Sequence, residues 1–176
     1  MADVVIVGGG LTGQAAAMLL AADGHRVRVL ERDPAPPATT ADEAWNAWER
    51  RGVNQFRMLH YFLPRFRATV EAELPAVAAE LDAAGALRLN VFEGMPETMS
   101  GGFRPDDGRF TALTGRRPVV EAAVARVAAR TEGVEVQRGV AVKGLLVGEG
   151  HADGVPHVVG VVTDDGEELR ADLVVD

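Results

Sequence analysis

The feature that most constrains this fold is the stretch DVVIVGGGLTG near the N-terminus. Residues 3–7 form a short run rich in β-branched residues, apolar after Asp3, typical of a parallel strand buried on both faces. From Leu11 the chain becomes rich in Ala and Leu until Gly24, a residue type that often ends a helix. HRVRVLE then alternates like a second strand. The pattern predicts a βαβ unit with a right-handed crossover.

The three glycines that follow the first strand match the pattern G-x-G-x-x-G. Gly8 permits a tight turn, Gly10 lets the backbone approach a pyrophosphate, and Gly13 lets the helix pack closely on the strand. The free N–H groups of the first helical turn, which includes Leu11 and Thr12, would then face the anion. The sequence therefore predicts a dinucleotide site, and its motif does not require Gly9.

The second strand ends in an acid, Glu31. A carboxylate at this position can accept hydrogen bonds from ribose hydroxyls and repels a 2′-phosphate. Glu31 thus favours FAD or NAD over NADP, and the glycines alone do not separate the first two.

The middle of the chain predicts helices and two strands. Trp45 and Trp48 are expected on one short helical turn, and residues 54–86 on two or three helical segments that break at Pro64 and Pro75. His60 is expected within one of these helical segments, at MLHYFL. ALRLNVF and RFTALTG are expected strands, and the helix RPVVEAAVARVAAR follows them.

The last third of the chain consists of short β-like runs, separated by predicted turns at EGHADG and DDG. The whole pattern predicts a mixed α/β fold, with a Rossmann-like parallel sheet and an added antiparallel β layer.

The bulk properties of the 176 residues exclude several functions. A net charge of −8 argues against a nucleic-acid partner, and the absence of Cys excludes disulfides and thiolate catalysis. The four His residues are too scattered to predict a metal site. The first apolar run has no basic leader and is too short to span a bilayer, so we expect a cytoplasmic protein without a membrane span.

Four stretches, in this order, resemble one large family: VLERDP, RGVNQFRMLHYFLPRFRATVEAELPAVAAELDAAGA, TGRRPVVEAAVARVAA and VVGVVTDDGEELRADLVVD. They are similar to the FAD-dependent monooxygenases and oxidoreductases with the para-hydroxybenzoate hydroxylase fold. Asn54 and Met58 depart from the family pattern, which has Pro and His there. The resemblance implies that residues 1–176 are an FAD/NAD(P)-binding domain. It also implies that this chain is the truncated, N-terminal part of a larger flavoprotein, with the substrate domain mostly missing.

The resemblance also implies a set of cofactor-binding residues. The glycine loop would hold the FAD pyrophosphate, Glu31 the ribose and Arg32 the adenine edge. Either Arg50, Arg51 or Arg57 would reach the phosphates. The full implied set is Gly8, Gly10, Leu11, Thr12, Gly13, Glu31, Arg32, Arg51, Arg57, Arg117, Val142 and Asp176.

The implied reaction uses NADH or NADPH to reduce the FAD, which then reacts with O₂ to hydroxylate or epoxidise a small organic substrate. Other FAD-dependent reactions on the same fold are alternatives, namely those of a dehydrogenase, an isoprenoid reductase or a halogenase. A non-catalytic, truncated FAD-binding fragment is another. The residues indicate no catalytic side chain, and the oligomeric state stays open.

Overall fold

A computed structural model of the chain describes residues 1–150 and 154–176. Its α-helices are α1 (Leu11–Ala22), α2 (Ala41–Asn46), α3 (Pro64–Glu73), α4 (Pro75–Ala83), α5 (Glu97–Ser100) and α6 (Arg117–Ala129). Its strands are β1 (Asp3–Val7), β2 (Arg26–Glu31), β3 (Leu59–Phe62), β4 (Leu87–Asn90), β5 (Thr111–Arg116), β6 (Val134–Arg138), β7 (Val142–Val147), β8 (Val158–Thr163), β9 (Glu168–Arg170) and β10 (Leu173–Val175).

The first sheet is parallel and has the strand order β10-β1-β2-β6. Successive strands β1, β2 and β6 proceed to one side, and β10 lies on the other side of β1. The order therefore reverses at β1, and ligands of open α/β sheets bind beyond the carboxyl ends of the strands at such a point. The predicted βαβ unit, formed by β1, α1 and β2, is confirmed.

Both faces of this sheet are covered, which explains the unbroken apolar run of β1. On one face Val4, Ile6 and Val29 pack against Ala17 of α1. On the other face Val5 and Leu30 pack against residues of a second sheet, the antiparallel meander β7-β8-β9. The added antiparallel layer predicted from the last third of the chain is confirmed.

A third sheet, also antiparallel, has the order β3-β5-β4, and α3 packs against β5. β3 includes His60, so the prediction of a helix for MLHYFL is wrong. Tyr61 and Phe62 favour a strand, and the pairing of β3 with β5 overrides the apolar helical pattern. The prediction that Trp45 and Trp48 share one helical turn is also wrong for Trp48, because α2 ends at Asn46.

The connection before β5 contains α5 and a 3₁₀ helix over Pro105–Phe110. The turn predicted at EGHADG falls partly on residues 151–153, which lie outside the described residues. None of the described helices is both long and apolar enough to cross a membrane.

The chain forms two compact units. Unit 1 comprises Met1–Pro37, Glu49–Gly52 and Val124–Asp176, and unit 2 comprises Ala38–Trp48 and Val53–Ala123. Unit 1 contains the parallel sheet, α1 and the meander, and unit 2 contains the third sheet with α2 to α5.

Candidate functional site

The glycine loop joins β1 to α1 at the carboxyl edge of the parallel sheet. Gly8 has φ +100°, a backbone conformation that side chains with a Cβ rarely adopt, and its N–H donates to the Leu30 carbonyl at 2.8 Å. The turn therefore leaves β1 abruptly and directs the next residues to the start of α1.

The N-terminus of α1 offers uncapped N–H groups. Gly10 is the N-cap and has no side chain to accept from them, and the first turn contains no acid. The N–H groups of Leu11, Thr12 and Gly13 begin the helix and have no carbonyl four residues earlier within it. This end of a 12-residue helix is thus suited to an anion.

The space around Gly10 differs from the space around Gly13. A Cβ at Gly10 would meet no atom within 4 Å, so the backbone is open to close approach by a ligand. A Cβ at Gly13 would overlap the Gly8 carbonyl oxygen and lie 3.3 Å from Cγ2 of Ile6. Gly13 therefore permits the close packing of α1 on β1.

Gly9, which the motif leaves unspecified, is constrained by Glu31. Its N–H donates to Oε2 of Glu31 at 2.9 Å, and a Cβ at Gly9 would lie 2.9 Å from the Cβ of Glu31. The motif does not specify Gly9, but in this chain Glu31 leaves little space for a side chain there. The physical reason is the close contact between the loop and the acid at the end of β2.

Arg50 contacts the glycine loop at Gly9 and pairs with Glu31. Its Nη2 donates to Oε2 of Glu31, its Nη1 lies 3.4 Å from the Gly9 carbonyl oxygen, and its Nε lies 3.7 Å from Oδ2 of Asp33. The side chains of Arg50 and Glu31 are only 5% and 6% exposed. Arg50, a sequence candidate for the phosphates, is thus a buried partner of the acid.

Two further polar residues of this site were missed by the sequence analysis. Gln14 is buried in α1, and its Nε2 donates to the Gly9 carbonyl at 2.5 Å. Asp33 donates its N–H to Oε1 of Glu31 at 2.9 Å. A polar residue one turn into an apolar helix was the available signal for Gln14, whereas Asp33 stands in a polar loop where nothing distinguishes it.

Arg32 and Arg51 are both exposed in unit 1. The guanidinium of Arg32 lies against the backbone of Gly52, where a Cβ would overlap it. The end of β2 thus brings Arg32 beside the segment that contains Arg50 and Arg51.

Arg57 belongs to unit 2, where it contacts backbone carbonyls. It donates to the carbonyls of Ala44 at 3.1 Å, of Trp45, and of Trp48 at 2.5 Å. Its guanidinium also lies 5.6 Å from the ring centroid of Phe56. These contacts satisfy carbonyls at and beyond the end of α2, which gives Arg57 a structural role in unit 2.

Arg117 opens α6 and lies in a small polar cluster of unit 2. Its Nε donates to Oε1 of the buried Glu121 at 2.6 Å, and its Nη1 lies 3.1 Å from Nε2 of His60. The guanidinium thereby links α6 to β3.

The remaining predicted residues lie in unit 1. Val142 begins β7, pairs with Thr163 and packs beside the core formed by Val5 and Leu30. Asp176 is exposed and follows β10, so it lies at the same carboxyl edge as the glycine loop. Within residues 1–150 and 154–176, no group of three or more His, Cys, Asp or Glu could hold a metal ion.

A parallel sheet with a glycine loop, an uncapped helix N-terminus and an acid at the end of the next strand defines a dinucleotide-binding protein of the Rossmann class. The family model for FAD dependent oxidoreductases matches residues 3–98, which are 96 of the 176 residues. The chain belongs to this family of FAD-dependent oxidoreductases. No curated protein sequence matches the chain significantly.

Several solved structures share the fold. PqsL of P. aeruginosa, determined in complex with 2-aminobenzoylacetate, is 21% identical with a TM-score of 0.64, and the match covers 96% of this chain and 40% of that one. 2-Methyl-3-hydroxypyridine-5-carboxylic acid oxygenase is 16% identical with a TM-score of 0.60, covering 99% and 38%. THI4 of Thermovibrio ammonificans is 19% identical with a TM-score of 0.55, covering 99% and 56%. The chain thus spans about 40% of the length of the first two.

Proposed function

We propose that this chain binds FAD at the β1–α1 loop and serves an NAD(P)H-dependent flavin monooxygenase that hydroxylates or epoxidises a small organic substrate. The observation that carries the proposal is the uncapped N-terminus of α1. There Gly10 leaves open space beside N–H groups that have no intrahelical partner. The match to the family of FAD-dependent oxidoreductases supports FAD as the dinucleotide.

In this proposal the backbone holds the diphosphate. The N–H groups of Leu11, Thr12 and Gly13 donate to its oxygens, and the positive end of the α1 dipole stabilises its charge. The absence of an acid from the first turn of α1 removes a source of repulsion. The open space at Gly10 lets the diphosphate approach to hydrogen-bonding distance.

Glu31 would accept one ribose hydroxyl. An ionised carboxylate offers about four lone-pair positions, and the N–H groups of Gly9 and Asp33 together with Arg50 use three of them. The remaining position, on Oε1, suits a single hydroxyl hydrogen bond and repels a 2′-phosphate. Cofactor contacts by Arg32, Arg51, Arg57, Arg117, Val142 and Asp176 stay predictions.

The flavin, when bound, supplies the redox chemistry, and the protein binds it and orients it. The shared fold with PqsL, described as a probable FAD-dependent monooxygenase, and with a pyridinecarboxylic acid oxygenase supports oxygen insertion as the reaction class. A small organic molecule, O₂ and a nicotinamide donor are the proposed reactants.

Binding is tested by the thermal midpoint of the purified chain with and without FAD. At a hundredfold excess over the dissociation constant, FAD adds about 2.7 kcal/mol, which raises the midpoint of a chain of this length by about 5 to 10 °C. No rise with FAD contradicts the proposal. A rise with NAD and none with FAD identifies NAD as the cofactor instead.

The reaction class is tested on the FAD-bound chain by oxidation of NADH and of NADPH with simultaneous measurement of O₂ uptake. Consumption of NADH or NADPH together with O₂, with peroxide released when no substrate is present, supports a monooxygenase. FAD binding without any NAD(P)H oxidation identifies a non-catalytic FAD-binding chain. NAD(P)H oxidation that proceeds equally without O₂, onto an added electron acceptor, indicates a dehydrogenase.

A further inference from the structure

The peptide group of Gly9 is held by three buried side chains. Its N–H donates to Glu31, and its carbonyl oxygen accepts from Gln14 at 2.5 Å and faces Nη1 of Arg50 at 3.4 Å. As whole residues, Gln14, Glu31 and Arg50 are 2%, 4% and 7% exposed. These side chains thus fix the loop at Gly9. The next residue is Gly10, where the diphosphate is proposed to bind.

Of these three side chains, Arg50 connects the glycine loop to the end of β2 and to the segment after it. Its guanidinium contacts Glu31 at the end of β2, the Gly9 carbonyl of the loop and the carboxylate of Asp33. One guanidinium can hydrogen-bond to Glu31 and Gly9 and also form an ion pair with Asp33, because its N–H groups form a rigid, planar fork. An ammonium group carries the same charge but lacks this fork.

We infer that Arg50 is a positioning residue for the nucleotide site: it sets the geometry of the glycine loop through Glu31 and Gly9, and it does not itself contact the diphosphate. The inference rests on the proposed function for its effect on FAD, but its effect on the loop belongs to the free protein. It also adds a second role to Glu31, which anchors the loop as well as facing the ribose.

Charge gives the inference a second consequence. Glu31 and Asp33 carry two negative charges beneath the loop, and Arg50 neutralises one of them. Without Arg50, the buried carboxylate of Glu31 and the partly buried carboxylate of Asp33 would lie close to the proposed position of an anionic diphosphate. Removal of Arg50 therefore weakens FAD binding both by releasing the loop and by adding repulsion.

The first test measures hydrogen exchange of individual amides in the cofactor-free protein. In Arg50→Met we expect the Gly9 amide, which donates to Glu31, to exchange at least about tenfold faster, because Glu31 loses the guanidinium that holds it in place. The Gly8 amide, which donates to the Leu30 carbonyl, is the internal control and should change much less. Equal acceleration at both amides would show global destabilisation and overturn the inference, as would no change at Gly9.

The second test is a double-mutant cycle for FAD affinity with Arg50→Met, Glu31→Gln and their combination. If Arg50 acts through Glu31, the loss from Arg50→Met, at least about tenfold in the parent chain, is much smaller in the Glu31→Gln background. Additive losses would overturn the inference and identify a direct phosphate contact. Arg170→Met, at an exposed position in β9, controls for the loss of one positive charge.

Arg50→Lys keeps the test decisive if Arg50→Met fails to fold. Lys preserves the charge but cannot contact Glu31 and the Gly9 carbonyl in the same geometry, so we expect faster Gly9 exchange and weakened FAD binding. Full retention of FAD affinity in Arg50→Lys would indicate a phosphate contact by a point charge. If the parent chain does not bind FAD, the proposed function fails while the exchange result still decides the role of Arg50.

Discussion

Gly10 and Gly13 lie three residues apart in the same motif, yet the structure gives them opposite roles. A Cβ at Gly10 would point into open space, and the φ of −78° at Gly10 suits any residue. A Cβ at Gly13 would overlap the carbonyl oxygen of Gly8. The fold therefore requires a glycine at position 13, whereas at position 10 only the proposed approach of a ligand would require one.

Gly10→Ala and Gly13→Ala should consequently separate binding from stability. We expect Gly10→Ala to lower the free energy of unfolding by no more than about 1 kcal/mol, because Gly is preferred over Ala at an N-cap, while it weakens FAD binding. Gly13→Ala should cost about 1 to 3 kcal/mol, because backbone must move to relieve the overlap. Denaturant unfolding and FAD titration of both variants check this. A stable Gly13→Ala or a tightly FAD-binding Gly10→Ala would contradict it.

Among the elements, β5 forms the centre of the third sheet and presents different faces to different surroundings. Leu113 is 4% exposed and pairs with Phe62 and Arg88, so these three residues share the face that packs on α3. Leu89 pairs with Ala112 on the opposite face and is 48% exposed. The two leucines therefore form a matched pair for testing this packing.

We expect Leu113→Ala to lower the free energy of unfolding by about 2 to 5 kcal/mol, the usual range for truncating a buried leucine. Leu89→Ala is the control, and its cost should stay below about 1 kcal/mol because nearly half of this residue is exposed. Urea unfolding of both variants is the measurement. Similar losses at the two positions would show that the exposed face of the sheet is covered in solution.

Asp165, in the turn between β8 and β9, is expected to make the stability of the fold depend on pH. The pKa of Asp165 is lowered from its ordinary value of 3.8, chiefly by a hydrogen bond from the Thr163 hydroxyl and also by the N–H of Glu167. A lowered pKa in the folded state adds stability that is present above pH 3.8 and is lost as the pH falls through the folded value. This stabilisation is small, because the carboxylate is exposed.

Asp165→Asn should accordingly lower the thermal midpoint at pH 7, and the difference from the parent chain should shrink as the pH falls below 3.8. Asp23→Asn, an exposed aspartate at the end of α1, serves as the control. A difference that grows as the pH is lowered would contradict the sign of the shift.

The elements that the sequence predicts correctly are those whose local pattern and tertiary surroundings agree. The run Val4–Val7 is apolar because both faces of β1 are covered, so periodicity and packing give the same answer. At His60 they disagree, because a short apolar run fits a helix or a strand and only the distant partner β5 decides. The site shows the same division. The glycines follow from a local motif, whereas Gln14 and Asp33 join the site only through the three-dimensional path of the chain.

For the whole molecule, the chain path connects the two units repeatedly. The chain passes between unit 1 and unit 2 four times, and α6 is one continuous helix whose residues are divided between them at Ala123 and Val124. Since the hydrogen bonds of a helix link each turn to the next, unfolding of one half of α6 removes support from the other half. We therefore expect the units to unfold together.

Val29→Ala tests this coupling, because Val29 is buried in unit 1 whereas both tryptophans, Trp45 and Trp48, lie in unit 2. The substitution should cost about 2 kcal/mol and lower the thermal midpoint by about 4 to 8 °C, as seen by tryptophan fluorescence. Val147→Ala, at a 60% exposed position in β7, is the control. A fluorescence midpoint that stays at the parent value while circular dichroism shows a loss would reveal independent units.

The burial of Arg50 against Glu31 has a consequence for protein engineering. A common strategy for making a nucleotide site accept a 2′-phosphate is to replace the acid at the end of the second strand with a neutral or basic residue. In this molecule that single replacement would remove the ion pair with Glu31 from an enclosed guanidinium, whose Nε lies 3.7 Å from Oδ2 of Asp33. Breaking a buried ion pair in this way costs about 3 to 5 kcal/mol. A redesign of nucleotide preference here must therefore begin with Arg50 and Glu31 as one unit.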